Sequence, residues 1–356
     1  MEQEGYIFWL EELTKDHNDL VGKKCANLGE LRRAGFPVPQ GYALSLRAYD
    51  RFLKETGLIE ELRSYFTAEG CHPEDLERLE RISARAREMV ERTAVPDEIE
   101  GAIRAYYEEL CRRENRPQVP VATRSAGPVS HPGQYESYLY VSGPEEVVKH
   151  VKKVWSSTFN TRSLAARARL GLPLEYDPIG VAILTMVKAR AAGVMFTLDP
   201  TNGDVSKVVI EGSWGLGEAV VSGSVTPDRF KVNKVTLEIE DQHISYKERE
   251  FNFDPASGRS CYLDVPADKA NQPCLEEREV IELAKVARQV EKHYGCPQDI
   301  EWCVCEDRVF PHNVFLVQCR PETVWSKKAQ GPILGRKTGF DMLTEKAMSG
   351  VRLRVS

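Results

Sequence analysis

The chain has 356 residues, 42% hydrophobic and 29% charged, which is ordinary globular usage: it excludes a disordered or fibrous protein and leaves room for two domains or one large domain built of lobes. Its 48 Lys and Arg against 54 Asp and Glu give a net charge of −6, so there is no electrostatic footprint for nucleic acid and basic residues must act locally. No apolar run approaches the about 18 residues needed to span a bilayer, and the start "MEQEGYIFWLEELTKD" is acidic where a signal peptide is basic, so a soluble, cytoplasmic protein with no membrane partner is expected.

In chain order, "ANLGELRRAGFPVP" predicts a short helix that stops at Gly35 before two prolines. "GYALS" predicts a strand, with Ser45 placed to cap a helix from Leu46 to Thr56. Residues 73–115 read as mostly helix with a break near Pro96, and Ile99, Ile103, Tyr106, Tyr107 and Leu110 form its core stripe. A strand "QVPVATRS", a polar loop "AGPVSHPGQ" and a strand "YESYLYV" follow, then one helix from Glu145 to Gly171 and the buried strand "GVAILTMV". Beyond it, "GVMFTL", "KVVIEGSW", "RFKVN", "TLEIEDQ" and "HISYKE" predict strands, and residues 275–295 predict a helix. The last predicted elements are the two strands within "DIEWCVCEDRVFPHNVFLVQCRPETVW". Residues 326–356 are basic and weakly patterned, a tail or docking arm. The nine cysteines contain no C-x-x-C pair; Cys303 and Cys305 share a strand face, where a metal pair is conceivable, but reduced core thiols are the expectation.

Four stretches carry chemistry. "LVGKKCANLGEL" places Lys24 just ahead of a helix, where its ammonium would join unpaired N–H groups in holding an anion; an exposed lysine on a turn is the alternative. In "ATRSAGPVSHPGQYES", Arg124 leaves an apolar strand for a loop of small and rigid residues, an arrangement for bidentate phosphate contacts, though a plain hairpin with a chance arginine fits too. His131 in that loop is a conceivable phosphoryl acceptor or simply a polar loop residue. "EGSWGLGEAVVSGSVTPDRF" sets carboxylates Glu211 and Glu218 around Trp214 in a glycine-rich turn that would cover a nucleotide. In the final hairpin, Glu301 and Gln318 offer hard oxygen ligands for Mg²⁺ with Arg320 two residues along, unless these are a structural ion pair.

Together, "KKCANLGELRRAGFPVPQGYALS", "RSAGPVSHPGQYES", "AGVMFTLDP", "IEGSWGLGEAVVSGSVTPDRF" and "QDIEW...VQCRPET" resemble the nucleotide-binding domain of the pyruvate phosphate dikinase and phosphoenolpyruvate synthase family over residues 5–325. The resemblance implies an α+β fold of ATP-grasp type, with an N-terminal lobe (1–185), a C-terminal lobe (186–325) and ATP and Mg²⁺ bound between them. It further implies Lys24, Arg124 and Arg320 as phosphate ligands, Gly133 as backbone over the terminal phosphates, Glu301 and Gln318 as Mg²⁺ ligands and Asp299 as an auxiliary carboxylate. Three departures stand out: the loop after Arg124 is short, the hairpin tip near "RVFPHN" is lengthened, and Leu184 replaces a glutamine often found there.

No phosphorylatable T-S-H histidine domain follows residue 325, which leads to the expectation of a split enzyme. In organisation this is similar to the ATP-binding subunit of phenylphosphate synthase, passing the β-phosphoryl of ATP to a histidine on a partner subunit, with phenol as final acceptor. The alternatives are a phosphoenolpyruvate synthase-like or antibiotic phosphotransferase component, and a non-catalytic ATP-sensing subunit.

Overall fold

The structure, a computed structural model, describes residues 5–71, 73–129 and 135–325. Gly133, His131 and the tail 326–356 lie outside the described residues.

The first sheet is antiparallel, in the order β1-β2-β5-β3-β4, from β1 (Ile7–Trp9), β2 (Gly41–Leu44), β3 (Val121–Ala126), β4 (Ser137–Val141) and β5 (Gly180–Thr185). Its strands alternate with period two: Ile7, Trp9, Tyr42, Leu44, Val181 and Ile183 enter one core, while Phe8, Ala43, Ala182 and Leu184 enter another. The first core is closed by α3 (Leu46–Glu55), α4 (Leu58–Glu69), α5 (Leu76–Arg92), α6 (Asp97–Arg113), α7 (Pro144–Ser156) and α8 (Thr161–Leu170). The second core contains α2 (Lys23–Arg33), which follows the single turn α1 (Asn18–Val21).

The second sheet is also antiparallel, in the order β13-β12-β6-β7-β8-β9. Its strands are β6 (Ala189–Phe196), β7 (Lys207–Trp214), β8 (Asp228–Asn233), β9 (Ile239–His243), β12 (Gln298–Cys305) and β13 (Val314–Pro321). One face packs on α11 (Glu277–Tyr294) through Val280, Leu283, Ala284, Ala287 and Val290, in the same core that receives α2, so α2 joins the two sheets. The short α9 (Glu218–Val221) follows β7, and α10 (Ala267–Ala270) precedes α11. Strands β10 (Arg249–Asp254) and β11 (Arg259–Asp264) form a separate hairpin.

Four expectations are corrected. "HISYKE" is not a strand: Ser245 N–H and the fully buried Lys247 ammonium both bond Asp228, so a carboxylate rather than a ladder takes this backbone, and the strands come afterwards as β10 and β11. The helix expected over 145–171 breaks in two, because the Ser157 and Thr158 hydroxyls bond back to Val154 and Trp155 carbonyls and the Asn160 side chain caps α8 through Ser163 N–H. Helix α4 was not anticipated. Ser45 stands at the N-cap of α3, but its buried hydroxyl makes no capping bond. All nine cysteines are free, and the expectation of reduced thiols at Cys303 and Cys305 stands. Among the described residues no helix is long and apolar enough to cross a membrane.

Gly22, with φ +80, is the hinge between α1 and α2, and a Cβ there would lie 2.0 Å from the Ala126 carbonyl oxygen. The close approach lets Lys23 N–H bond the Gly127 carbonyl at 2.9 Å, seating the start of α2 on the end of β3. Gly22→Ala should therefore cost about 2–4 kcal/mol, combining left-handed strain with a backbone clash, measured by denaturant unfolding.

Candidate functional site

The seating of α2 places Lys24 beside Arg124 of β3. Burial, followed by repulsion from Arg124, lowers the Lys24 pKa from 10.5 to about 8, against the opposing pull of Glu301. An ammonium held half-buried next to a guanidinium is poised to take an anion that repays both desolvation and repulsion.

Strands β12 and β13 present the opposing groups. Glu301 lies directly opposite Gln318 and Asp299 directly opposite Arg320, so the four side chains share one sheet face. A bulge then intervenes, since Trp302 pairs with Leu316 and Val317 is left over. The freed Val317 carbonyl accepts from Arg124 Nη1 at 2.9 Å, while Arg124 Nη2 donates to Glu301 at 2.9 Å and to Gln318 Oε1 at 3.3 Å. Arg320 is engaged with Asp299 at 2.7 Å. Burial outweighs that partner and pushes the Asp299 carboxyl above its usual range.

These residues divide a cleft into two ends. At the polar end, a recess of about 510 Å³ is lined by Lys23, Lys24, Asn27, Ser125, Gln318 and Arg320, among others. Asn27 anchors it, its amide donating to the Cys319 carbonyl at 3.0 Å. At the other end, a largely apolar cleft of about 860 Å³, its open mouth included, lies between Leu139 and Leu184 on one side and Ala192, Leu216 and Cys303 on the other. Arg124 and Glu301 line this apolar cavity, and Gln318, which Arg124 bonds and which Glu301 opposes on β13, lines the polar recess, so the pair stands between the ends. The cleft face of β12 thus runs Asp299, Glu301, Cys303, Cys305, from charged to apolar over roughly 20 Å. An elongated ligand with an anionic end and a flat apolar end fits this gradient.

The structure therefore brings Lys24, Arg124, Glu301, Gln318 and Arg320 together, with Asp299 behind Arg320. Glu218 lines the apolar cleft at the start of α9. Glu211 does not line either cavity; it sits in the same row as Glu301, two strands away through Val194. Leu184 lines the apolar end as an aliphatic wall. Not anticipated were Leu139, Met186, Val187 and Leu216, which sequence shows only as ordinary apolar residues. Glu301 and Gln318 are a fitting donor pair for Mg²⁺, being opposed hard oxygen ligands. Among the described residues no three His, Cys, Asp or Glu side chains are grouped to hold a metal ion.

Fold and site together define a two-lobed nucleotide-binding domain of ATP-grasp type. Residues 18–338 match the family model "Pyruvate phosphate dikinase, AMP/ATP-binding domain", and the chain belongs to that family. It is 41% identical over 355 residues to a probable phosphoenolpyruvate synthase of Staphylothermus marinus, covering 92% of this chain and 42% of the relative. It is 38% identical over 355 residues to the phosphoenolpyruvate synthase of Aeropyrum pernix (91% and 43%), and 38% over 328 residues to a probable phosphoenolpyruvate synthase of Methanocaldococcus jannaschii (90% and 27%). The chain thus spans less than half the length of these relatives.

Because Arg124 holds Glu301, the two should be energetically coupled. A double-mutant cycle of Arg124→Ala and Glu301→Gln, read by denaturant unfolding without nucleotide, should give a coupling of about 1–2 kcal/mol, the half-buried setting keeping it below that of a fully buried pair.

Proposed function

We propose that this chain is the nucleotide-binding part of a phosphoenolpyruvate synthase-like dikinase, working as two lobes that divide near residue 185. The observation that carries the reading is the convergence of Lys24, Arg124, Arg320, Glu301 and Gln318 at one end of a cleft whose other end is apolar. The relatives named for phosphoenolpyruvate synthesis favour pyruvate as final acceptor over the phenol of a phenylphosphate synthase.

In this reading the apolar end takes the adenine, with Leu184 supplying a wall rather than a hydrogen bond and backbone groups near Met186 and Val187 left to read the base edge. Lys24, Arg124 and Arg320 hold the triphosphate and stabilise charge as it shifts during transfer. To do so, Arg124 must exchange Glu301 for phosphate oxygen, and Arg320 must loosen from Asp299. Mg²⁺, held by Glu301 and Gln318, would neutralise phosphate oxygens at the same place. A histidine nitrogen of the phosphoryl-accepting segment then attacks the β-phosphorus in line, the bond to AMP breaks as the new N–P bond forms, and water cleaves the β–γ linkage, so that γ leaves as phosphate and the β-phosphoryl stays on histidine.

The half-buried Lys24 gives a pH signature. Below about pH 8 it is charged in the free protein; above that it is increasingly neutral, and phosphate binding must draw the proton back. ATP affinity should be flat below pH 8 and fall as pH rises further, by up to about tenfold per unit, and calorimetry at pH 8.5–9 in buffers of different ionisation enthalpy should show proton uptake. Uptake that is unchanged in Lys24→Met would assign it to another group.

The function itself is tested with ATP labelled at the β- or γ-phosphorus, incubated with this chain and the histidine-bearing segment it serves. The β-label should reach histidine and discharge to pyruvate, the γ-label should appear as phosphate, and Glu301→Gln should slow transfer at least about a hundredfold. Binding of ATP without any transfer would favour the ATP-sensing alternative, and discharge to phenol but not pyruvate would favour the phenol-activating one.

A further inference from the structure

Backbone strain marks one place beside the apolar end of the cleft. Tyr140 has φ +57, a left-handed conformation that a bulky aromatic residue rarely adopts. It lies in a bulge of β4: Val121 pairs with Val141 and Thr123 with Tyr138, so Ala122 alone faces both Leu139 and Tyr140. The bulge breaks the alternation of β4, and Leu139 lines the cleft while its neighbour Tyr140 stacks on Phe253 of β10. The ring centroids are 4.4 Å apart and the planes 27° from parallel. Strand β4 belongs to the first sheet, whereas the β10–β11 hairpin lies in the chain between β9 and β12 of the second, so this stack joins elements of the two halves of the chain.

The contact continues toward the ligand. Two residues before Phe253, the Phe251 carbonyl accepts from Leu216 N–H at 2.8 Å, and Phe251 forms a parallel bridge with Gly215. At Gly215, φ +77, a Cβ would lie 2.5 Å from the Phe251 oxygen, so turn and hairpin touch backbone to backbone. The next three residues, Leu216, Gly217 and Glu218, line the cleft. A chain of direct contacts therefore runs from the strained bulge through Phe253 and Phe251 to the turn that roofs the apolar end.

We propose that the Tyr140–Phe253 stack is an interlobe latch: it positions the glycine turn 215–217 and thereby closes the apolar end of the cleft over the planar end of a bound nucleotide. The inference rests on the nucleotide reading given above, and it makes Tyr140 and Phe253 positioning residues that do not touch the reacting atoms. Strain at Tyr140 is the sign that this ring is held in place for a purpose other than stability, since glycine would satisfy the same φ at no steric cost.

Two variants separate a latch from simple packing. Tyr140→Gly removes the ring at a position whose backbone suits glycine, and Phe253→Ala removes the other half of the stack. The first measurement is amide hydrogen exchange in ligand-free protein, where both variants should speed exchange at Leu216 and along β10 while Tyr140→Gly melts no lower than the wild type. The second is stopped-flow release of a fluorescent ATP analogue with Mg²⁺, which should be about two- to tenfold faster in both variants, with Tyr140→Phe restoring the wild-type rate. Unchanged exchange at Leu216 would overturn the latch, and faster exchange with unchanged release would overturn its coupling to the ligand. A wild-type protein that binds no nucleotide would overturn the nucleotide reading and with it the coupling, while the exchange measurement would still decide whether the stack holds the turn.

Discussion

The arrangement depends on one guanidinium. Arg124 leaves the end of a strand in the first sheet and places its donors on three acceptors at the edge of the second: the Val317 carbonyl, Glu301 and Gln318. The Val317 carbonyl belongs to an edge strand and sits at its bulge. A regular β13 would direct that oxygen differently and carry its side chains onto the opposite faces beyond Gln318. The same group that joins the sheets is thus the group proposed to receive phosphate, so ligand binding and lobe arrangement compete for the same hydrogen bonds.

A single strand encodes the gradient along the cleft. On β12, Ile300, Trp302 and Val304 enter the core shared with α11, while Asp299, Glu301, Cys303 and Cys305 face the cleft. The two cysteines extend the cleft face from charge into apolar surface, and burial pushes the Cys303 thiol well above its ordinary range, so it remains protonated and behaves as a small hydrophobe. Their shared face has a structural meaning that requires neither a disulfide nor a metal.

The sequence made much of this legible, and for identifiable reasons. Polar residues at every second position of an otherwise apolar strand reveal a buried strand with one polar face, which is how Glu301, Gln318 and Arg320 stand out in the sequence. Gly35 and the prolines after it mark the end of α2 in the same local way, since φ there is +85. Features set by distant partners were not legible. Lys247 sits in an alternating stretch that reads as a strand, yet its ammonium is committed to Asp228 nineteen residues away, and the chain passes on without pairing. Glu211 has the composition of a ligand but a register two strands from Glu301, and register is not a local property. The bulges of β4 and β13 likewise arise from pairing between strands and leave no mark on either strand alone.

The outer side of β13 carries one more consequence. A terminal strand offers unpaired amides and carbonyls to any other strand, and proteins normally blunt such an edge with charge or cover it. At the other side of this sheet, β9 is short, polar and mostly exposed. On β13 the cover comes from the first lobe: the Pro37 carbonyl takes Leu316 N–H, Arg124 takes Val317 and Asn27 takes Cys319. Any motion that admitted a nucleotide by peeling the lobes apart along this seam would bare a template for edge-to-edge association between molecules. Opening at the far, aromatic end would leave the seam shut, so exposure of this edge to other molecules depends on which side of the cleft parts.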